Sequence, residues 1–418
     1  MTREEKTARV AEIEAELERI EYKLDQLDVQ QFTRKLVINS SYGSLSSRSN
    51  PIGDDDLANA ITVMGSASIQ QVNVIAIDWV RRRALAEYAR LREEAPEGME
   101  GDADRDAIDA AVADIEGDER LDLRIITFND TDSLGFSLTI VPIKVFEHTD
   151  EGEIKVTEEG YRLVETACED INAEFNRWFA EKTNTINPLL NFKREKICDL
   201  GVWLKKGNSD EEAKKNYIVR VIDNEGELHN DGRYFKYTGV KLARSVVPKA
   251  LKELAKRVVE EGVFSRRRQV ADGLVQRLYD AYVEMPVDDK AAIQRCNNME
   301  QYVGPDFTCV LGTPGHIRAA ATYNRVISDE GLVHLEPLRS GDTAKIVQVT
   351  KDNRWGVEKV AYKDTWPPEF DGLFKLDHKT GFSKIIYDEI CRIYKSVDWG
   401  SFNPAEKFSV SLLDLLGL

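Results

Sequence analysis

The stretch Phe128–Ser133, FNDTDS, decides how this 418-residue chain folds. Apolar residues precede and follow it, which predicts two strands joined by a turn, with Phe128 and Leu134 anchored in the core. The turn would present Asp130 and Asp132 where the strands meet. Such carboxylates suit hard divalent cations, although Asp-x-Asp also favours turns for purely local hydrogen-bonding reasons.

A second string, KLVINSSYG, begins at Lys35, 95 residues before Asp130. Its Lys35, Asn39, Tyr42 and Gly43 fall on one face of a predicted helix. A lysine and an amide one turn apart can bind a triphosphate, and a tyrosine followed by glycine offers a flat, closely approachable surface for a base pair. The ordinary alternative is an amphipathic helix that ends at a glycine cap.

The predicted helix over residues 2–47 also carries an apolar stripe with heptad spacing. The stripe consists of Val10, Ile13, Leu17, Ile20, Leu24 and Leu27. Because the rest of the helix is highly charged, the stripe needs a partner helix for burial. A coiled-coil dimer is one way to provide it.

Periodicity predicts the remaining elements. Further helices are expected over residues 57–92, 158–182, 247–304 and 383–395. Strands are expected over residues 123–128, 134–146, 195–204 and 217–222, with a mixture of strand and loop over 332–363. Residues 93–119 carry twelve acids and one arginine, and we expect a mobile surface excursion there.

Charge is distributed unevenly along the chain. The net charge is −17, which argues at first sight against a nucleic-acid partner. Residues 236–268, however, hold ten Lys or Arg against three Glu, so a polyanion would meet a local basic face. The apolar runs are short and interrupted, so no membrane span is expected. Five scattered cysteines fit free thiols in a reducing cytoplasm.

Together the two strings resemble the second and third motifs of family B DNA polymerases of the tailed-phage type. The resemblance implies that Asp132, with Asp130 as a further contributor, binds catalytic Mg²⁺. It implies that Lys35 and Asn39 hold the triphosphate of an incoming dNTP. Tyr42 and Gly43 would frame the new base pair.

Later strings extend the resemblance to primer–template DNA. Lys214, Lys215 and Tyr217 match a KKxY motif that contacts the primer end, and residues 236–250 resemble the entry from palm to thumb, with a helix beginning near Pro248. The implied DNA contacts outside KKxY are Arg244, Lys249, His316, Arg318, Tyr323, Asn324 and Arg325. A solvated lysine pair and a structural histidine are the ordinary alternatives.

The terminal residues SLLDLLGL resemble the peptides by which phage polymerases dock into a sliding clamp. The implied anchors are Leu412, Leu413, Leu415 and Leu416. Folding back into the core is the ordinary alternative for such leucines.

The resemblance implies an α+β fold: an antiparallel palm sheet containing the aspartate hairpin, a long fingers helix and a mostly helical thumb. The expected domains are the second fingers helix (1–47), palm (48–235, with an acidic insertion about 93–119), thumb (236–408) and clamp-binding tail (409–418). The family's first palm motif, which carries the other metal-binding aspartate, is not found in the sequence. A split polymerase is therefore predicted, in which an N-terminal subunit with the exonuclease and first palm motif shares one of two Mg²⁺ ions, in the cytoplasm of an infected bacterial host cell.

Two other functions compete with this interpretation. The first is an inactive DNA-binding or clamp-associated accessory protein with polymerase architecture. The second is a metal-dependent nuclease using Asp130 and Asp132, which would require a further ligand cluster that five scattered histidines do not offer.

Overall fold

The computed structural model describes residues 3–47, 49–95, 99–118, 120–129, 133–186, 191–206, 212–244 and 247–399. The chain divides into two compact units. The first comprises Met1–Pro142 and Glu169–Asn191, and the second comprises Ile143–Cys168 and Phe192–Leu418. Helices and small antiparallel sheets alternate along the chain, as expected for the α+β class. The division into fingers, palm and thumb stays a prediction.

Two long helices begin the first unit, as predicted. They are α1 (Arg3–Leu45) and α2 (Asp55–Glu94). Asp54 caps α2, because its carboxylate accepts the amide N–H of Leu57 at 2.9 Å. By length and composition α2 is able to cross a membrane, but one such helix is weak evidence, because core helices of soluble proteins share these properties.

The C-terminal half of α2 packs into the first unit. Its buried residues recur with helical spacing and include Val72, Ile75, Ala76, Trp79, Val80 and Ala84. The Trp79 indole N–H donates to the Asp170 carboxylate at 2.8 Å. Asp170 lies on α5 (Glu158–Thr183), which forms as predicted and contributes residues to both units.

The prediction of a mobile acidic excursion is wrong for most of residues 93–119. A helix, α3 (Met99–Gly117), forms there. Its alanine content favours helix, and Ile115 is buried beneath its acidic face. Arg92 pairs with Asp109 at 3.0 Å, and Arg124 pairs with Asp114 at 3.4 Å. Neighbouring arginines therefore offset part of the charge that the segment carries.

The predicted hairpin is present but shorter. Its strands are β1 (Ile126–Asn129) and β2 (Leu134–Phe136), paired antiparallel with Asn129 opposite Leu134. The expected first strand is partly helical, since Leu121 and Ile125 are buried one turn apart in α4 (Leu121–Ile125). The expected second strand ends early, and a separate hairpin follows, β3 (Phe146–His148) with β4 (Ile154–Val156).

An antiparallel sheet organises the second unit. Its strands are β5 (Lys196–Lys205), β6 (Glu212–Asn224), β7 (Glu227–Leu228) and β8 (Phe235–Thr238). β6 pairs with each of the other three. The turn from β6 to β7 is a two-residue hairpin in which Glu225 and Gly226 both have positive φ, 53° and 98°. The strands around 195–204 and 217–222 were predicted correctly.

Two hydrophobic cores complete the second unit. The first joins the sheet to α6 (Lys249–Arg257), a π-helical turn (Val258–Val263), α7 (Arg268–Glu284), α11 (His378–Phe382), a second π-helical turn (Ser383–Tyr387) and α12 (Asp388–Ser396). The second contains α8 (Val287–Lys290), β9 (Ala292–Arg295), α9 (Gly315–Asp329), β10 (Thr343–Gln348), β11 (Lys359–Tyr362) and α10 (Phe370–Leu373). In this core the three strands form a sheet ordered β11-β10-β9.

Candidate nucleotide and nucleic-acid interface

The residues predicted to hold the nucleotide lie together on α1. Lys35, Asn39, Tyr42 and Gly43 are all exposed near its C-terminal end. The Tyr42 hydroxyl shares a 2.7 Å hydrogen bond with that of Thr62 on α2, which fixes one edge of the ring. Lys35 and Asn39 lie beside Gln31, Arg34 and Ile38 along one exposed side of the helix. A cation and an amide at this spacing are suited to triphosphate oxygens.

The apolar stripe of α1 is exposed along the helix. Ile13, Leu17, Ile20, Leu24 and Leu27 are between 46% and 55% exposed. The side chain of Val10, also predicted for the stripe, lies outside the described residues. So many large apolar side chains in a row mark a surface that is normally covered by another element.

The aspartates predicted to bind metal are outside the part of the chain that the structure describes. Asp130 and Asp132 fall in the connection between β1 and β2, whose paired ends are described. The Phe128 ring lies against Gly135, where any Cβ would overlap it, so the base of the hairpin is tightly packed. In the described residues, no group of three or more His, Cys, Asp and Glu side chains is placed to hold a metal ion.

Strand pairing in the second unit brings two predicted DNA-binding strings together. Tyr217 of β6 lies opposite Thr238 of β8. Lys215 is exposed with a φ of 58°, and a Cβ at Gly239, whose φ is 68°, would overlap the Lys215 carbonyl oxygen. Arg244 donates to the Gly239 carbonyl at 3.0 Å. We call this group, Lys215 to Tyr217 with Lys236 to Gly239 and Arg244, the β6–β8 platform.

The platform is rich in positive charge. Burial lowers the pKa of Lys236, and the positive charge of the neighbouring Lys196 lowers it further, as expected where two cations lie close together. The backbone of Lys214 belongs to β6, while its side chain lies outside the description. Pro248 precedes α6 as predicted, and Lys249 is exposed in its first turn.

The predicted thumb segment folds as α9, whose residues divide into two groups. Arg318 and Arg325 are exposed, and His316 is half-buried. The Arg325 guanidinium lies 3.7 Å from the Asp329 carboxylate, and the Arg318 guanidinium donates to the Thr313 carbonyl at 3.4 Å. Both distances are long, so these contacts restrain the two side chains only weakly. Their long side chains therefore remain at the surface, where phosphate contacts are made.

Tyr323 and Asn324 instead lie in the second core, 2% and 8% exposed. The Tyr323 hydroxyl donates to the Glu336 carbonyl at 3.1 Å, and the Asn324 amide makes two 2.8 Å hydrogen bonds with the backbone of Leu338. These bonds tie α9 to the segment that follows it. Both side chains therefore serve the core and are not presented at the surface, where the sequence had predicted DNA contacts.

Sequence reasoning missed two lysines beside α9. Burial, followed by the positive charges of Lys384 and Arg318, lowers the pKa of Lys359. These three cations are distant in sequence, so no local motif would have revealed their grouping. The predicted clamp anchors Leu412, Leu413, Leu415 and Leu416 lie outside the described residues.

Comparison with known proteins supports a polymerase-like region. No family model matches the chain. It is 25% identical over 397 residues to the DNA-directed DNA polymerase of Enterobacteria phage T4, covering 92% of this chain and 39% of the T4 protein. It is 26% identical over 360 residues to the DNA-directed DNA polymerase of Escherichia phage RB69, covering 83% of this chain and 34% of that protein.

These similarities are distant but extend over most of the chain. They support a family B polymerase-like region and a polymerase-type enzyme. This chain spans less than two fifths of the length of either phage relative.

Proposed function

We propose that this chain is the C-terminal subunit of a split family B DNA-directed DNA polymerase. It would add dNTPs to a primer 3′-OH on a template, with release of pyrophosphate. The supporting observation is the order of the motifs along the chain, together with similarity over most of its length to two phage DNA polymerases. The proposed place of action is the cytoplasm of an infected bacterial host cell, which the similarity to phage proteins supports.

The nucleotide would bind the exposed end of α1. Lys35 and Asn39 would contact the triphosphate, while Tyr42, held by Thr62, and Gly43 would border the new base pair. The side chains act by positioning and by stabilising charge, which is the main protein contribution in phosphoryl transfer.

Asp132, with Asp130, would hold Mg²⁺ beside the nucleotide. Two bound ions supply charge stabilisation to the attacking and leaving oxygens. A two-carboxylate hairpin is suited to this metal, which commonly takes one or two carboxylates and completes its shell with water and phosphate. A complete site would require the aspartate of the first palm motif from a companion chain.

Duplex DNA would bind the second unit. The β6–β8 platform, including Lys215, Tyr217 and Arg244, would contact the primer strand. Lys214 and Lys249 would extend this contact, and His316, Arg318 and Arg325 would meet the duplex backbone from α9. Contacts of this kind position DNA without reading its sequence.

The companion chain would cover the apolar stripe of α1. Its proposed contribution is a helix with its own apolar row, packed along Ile13 to Leu27. Glu21 and Asp28 flank one side of the stripe, so a basic row on the companion helix would be complementary. The companion would thereby be docked beside Lys35, which lies further along the same helix.

Primer extension tests the proposal. We expect no Mg²⁺-dependent extension by this chain alone and extension after addition of a companion that carries the first palm motif. Asp132→Asn should abolish the reconstituted activity, by about 10³-fold or more, because a metal ligand is lost. Asp352→Asn, at an exposed position in the second unit, is the matched control.

The same experiment addresses the accessory-protein alternative. Extension by this chain alone would contradict the split arrangement. DNA binding without extension in either mixture would assign the chain to the accessory class.

A further inference from the structure

Two π-helical turns converge on one short segment of the second unit. They are Val258–Val263 and Ser383–Tyr387, and both belong to the first core. π-helical turns are rare and occur frequently at functional sites. Both contact the segment from Tyr237 to Lys241, which includes the last two residues of β8 and the three that follow.

The first π-helical turn holds Tyr237. The Tyr237 hydroxyl donates to Glu260 Oε1 at 2.9 Å. Burial raises the pKa of Glu260, and burial together with the Glu260 charge raises the pKa of Tyr237, so the phenol stays a donor. The acidic neighbours of Glu260 are engaged elsewhere: Glu261 pairs with Arg257 at 2.6 Å and Glu253 with Lys256 at 2.8 Å.

The second π-helical turn and the helix after it hold Lys241. Its ammonium donates to the Lys384 carbonyl, and its amide N–H donates to Glu389 Oε1 at 2.7 Å. Glu389 is buried and fixed by Arg392 at 3.3 Å. The segment is therefore fixed at both ends by carboxylates from the helical layer.

Gly239 lies between Tyr237 and Lys241 and packs closely against the Lys215 carbonyl oxygen. A shift of β8 relative to β6 would remove the contact that accompanies the left-handed conformation of Lys215. Tyr237 lies two residues from Gly239, so its hydrogen bond to Glu260 helps to fix the part of the chain that packs against Lys215.

We propose that Glu260 is a positioning residue for primer–template binding, acting through Tyr237 to fix the β6–β8 platform. The inference rests on the proposed DNA-binding function and adds a residue that touches no DNA itself. Glu389 serves the same segment from its other end.

The test measures binding of a fluorescently labelled primer–template by the full chain, at several salt concentrations. Glu260→Ala and Tyr237→Phe should each weaken binding roughly tenfold and lower the slope of log affinity against log salt by about one, because a phosphate contact is lost. Glu260→Gln keeps an acceptor oxygen and should bind within about threefold of the wild type. The double variant should be no weaker than the single ones, since both remove one interaction.

The matched control is Tyr362→Phe. Tyr362 is a buried tyrosine of the second core, and its hydroxyl donates to the Val287 carbonyl at 3.3 Å. The variant therefore loses a phenolic oxygen, as Tyr237→Phe does. Its melting temperature should fall with unchanged affinity and salt slope. Unchanged DNA binding in Glu260→Ala and Tyr237→Phe would overturn the inference while leaving the proposed function intact. Absence of primer–template binding by the wild type would contradict both.

Discussion

At the scale of single residues, Gly239 has the strongest steric requirement on the β6–β8 platform. Gly239→Ala would combine a left-handed φ with overlap of the Lys215 carbonyl, and we expect a loss of about 2–4 kcal/mol in the free energy of unfolding. Gly152 has a similar φ of 81° with open space around its Cβ position, so Gly152→Ala should cost about 1 kcal/mol. Urea unfolding of both variants measures the difference, and equal losses would show that Gly239 is not closely packed.

Asp223 makes a second residue-scale prediction, this time on pH. Burial alone would raise its pKa, but hydrogen bonds from Arg194 at 2.5 Å, the Gly226 amide at 2.8 Å and Tyr161 at 2.9 Å outweigh burial and lower it. A lowered folded-state pKa stabilises the protein above the unfolded-state pKa of about 3.9, and this contribution is lost as pH falls through the folded value.

Asp223→Asn should therefore cost about 2–4 kcal/mol at neutral pH and flatten the fall in stability below about pH 4. Exposed Asp352→Asn should leave both the neutral stability and the acid limb close to the wild type. Thermal unfolding between neutral and acid pH makes the measurement. A parallel acid limb in Asp223→Asn would mean that this carboxylate does not account for the pH dependence.

At the scale of elements, the long helices near the start of the chain were predicted well, but the helix expected over residues 247–304 is interrupted after Val263 and contains strand β9 (Ala292–Arg295). α1, α2 and α5 follow directly from helical spacing over many residues. The expected strand over residues 134–146 fails because Pro142 lacks an amide N–H for a sheet ladder and the chain turns before it. The acidic helix α3 was not predicted because its net charge indicates a solvated loop, whereas its alanine content and its pairing with arginines from other segments favour a helix.

The candidate site shows the same division. Lys35, Asn39, Tyr42 and Gly43 form a local sequence pattern, and the structure keeps all four exposed on α1. The contact of Lys215 with Gly239 depends on the register of β6 against β8, and the grouping of Lys359 with Lys384 and Arg318 depends on tertiary packing. Neither relation has a signal within a short window of sequence.

The stripe of α1 is testable as an element. Leu24→Asp should weaken companion binding at least tenfold, about 1.4 kcal/mol, because a charge would replace an apolar side chain at the centre of the proposed interface. Val63→Asp on α2, at an apolar position that is also exposed, should change affinity less than threefold. Isothermal titration against the companion measures both.

Sedimentation of this chain alone tests whether the stripe joins two copies of the chain. A dimer that disappears in Leu24→Asp would assign the stripe to a coiled coil between two copies. Equal affinities of Leu24→Asp and Val63→Asp for the companion would place the interface elsewhere.

At the scale of the whole molecule, the net charge of −17 would oppose retention on DNA in the proposed function. Local basic surfaces would supply binding, yet repulsion from the rest of the chain would favour release at physiological salt. A polymerase with this charge would benefit from a topological tether. The terminal leucines, Leu412 to Leu416, are proposed to provide one by docking into a sliding clamp.

Deletion of residues 409–418 tests this idea in the reconstituted enzyme. We expect products on a clamp-loaded template to shorten by roughly tenfold, since dissociation would then compete with each addition, whereas extension of a short primer without clamp should be unchanged. Replacing Leu412 and Leu415 by Ser in the full-length chain is the matched control for loss of the anchors alone. Product lengths that do not change in either variant would exclude clamp docking by the tail, and an equal loss with and without clamp would assign those leucines to folding of the chain.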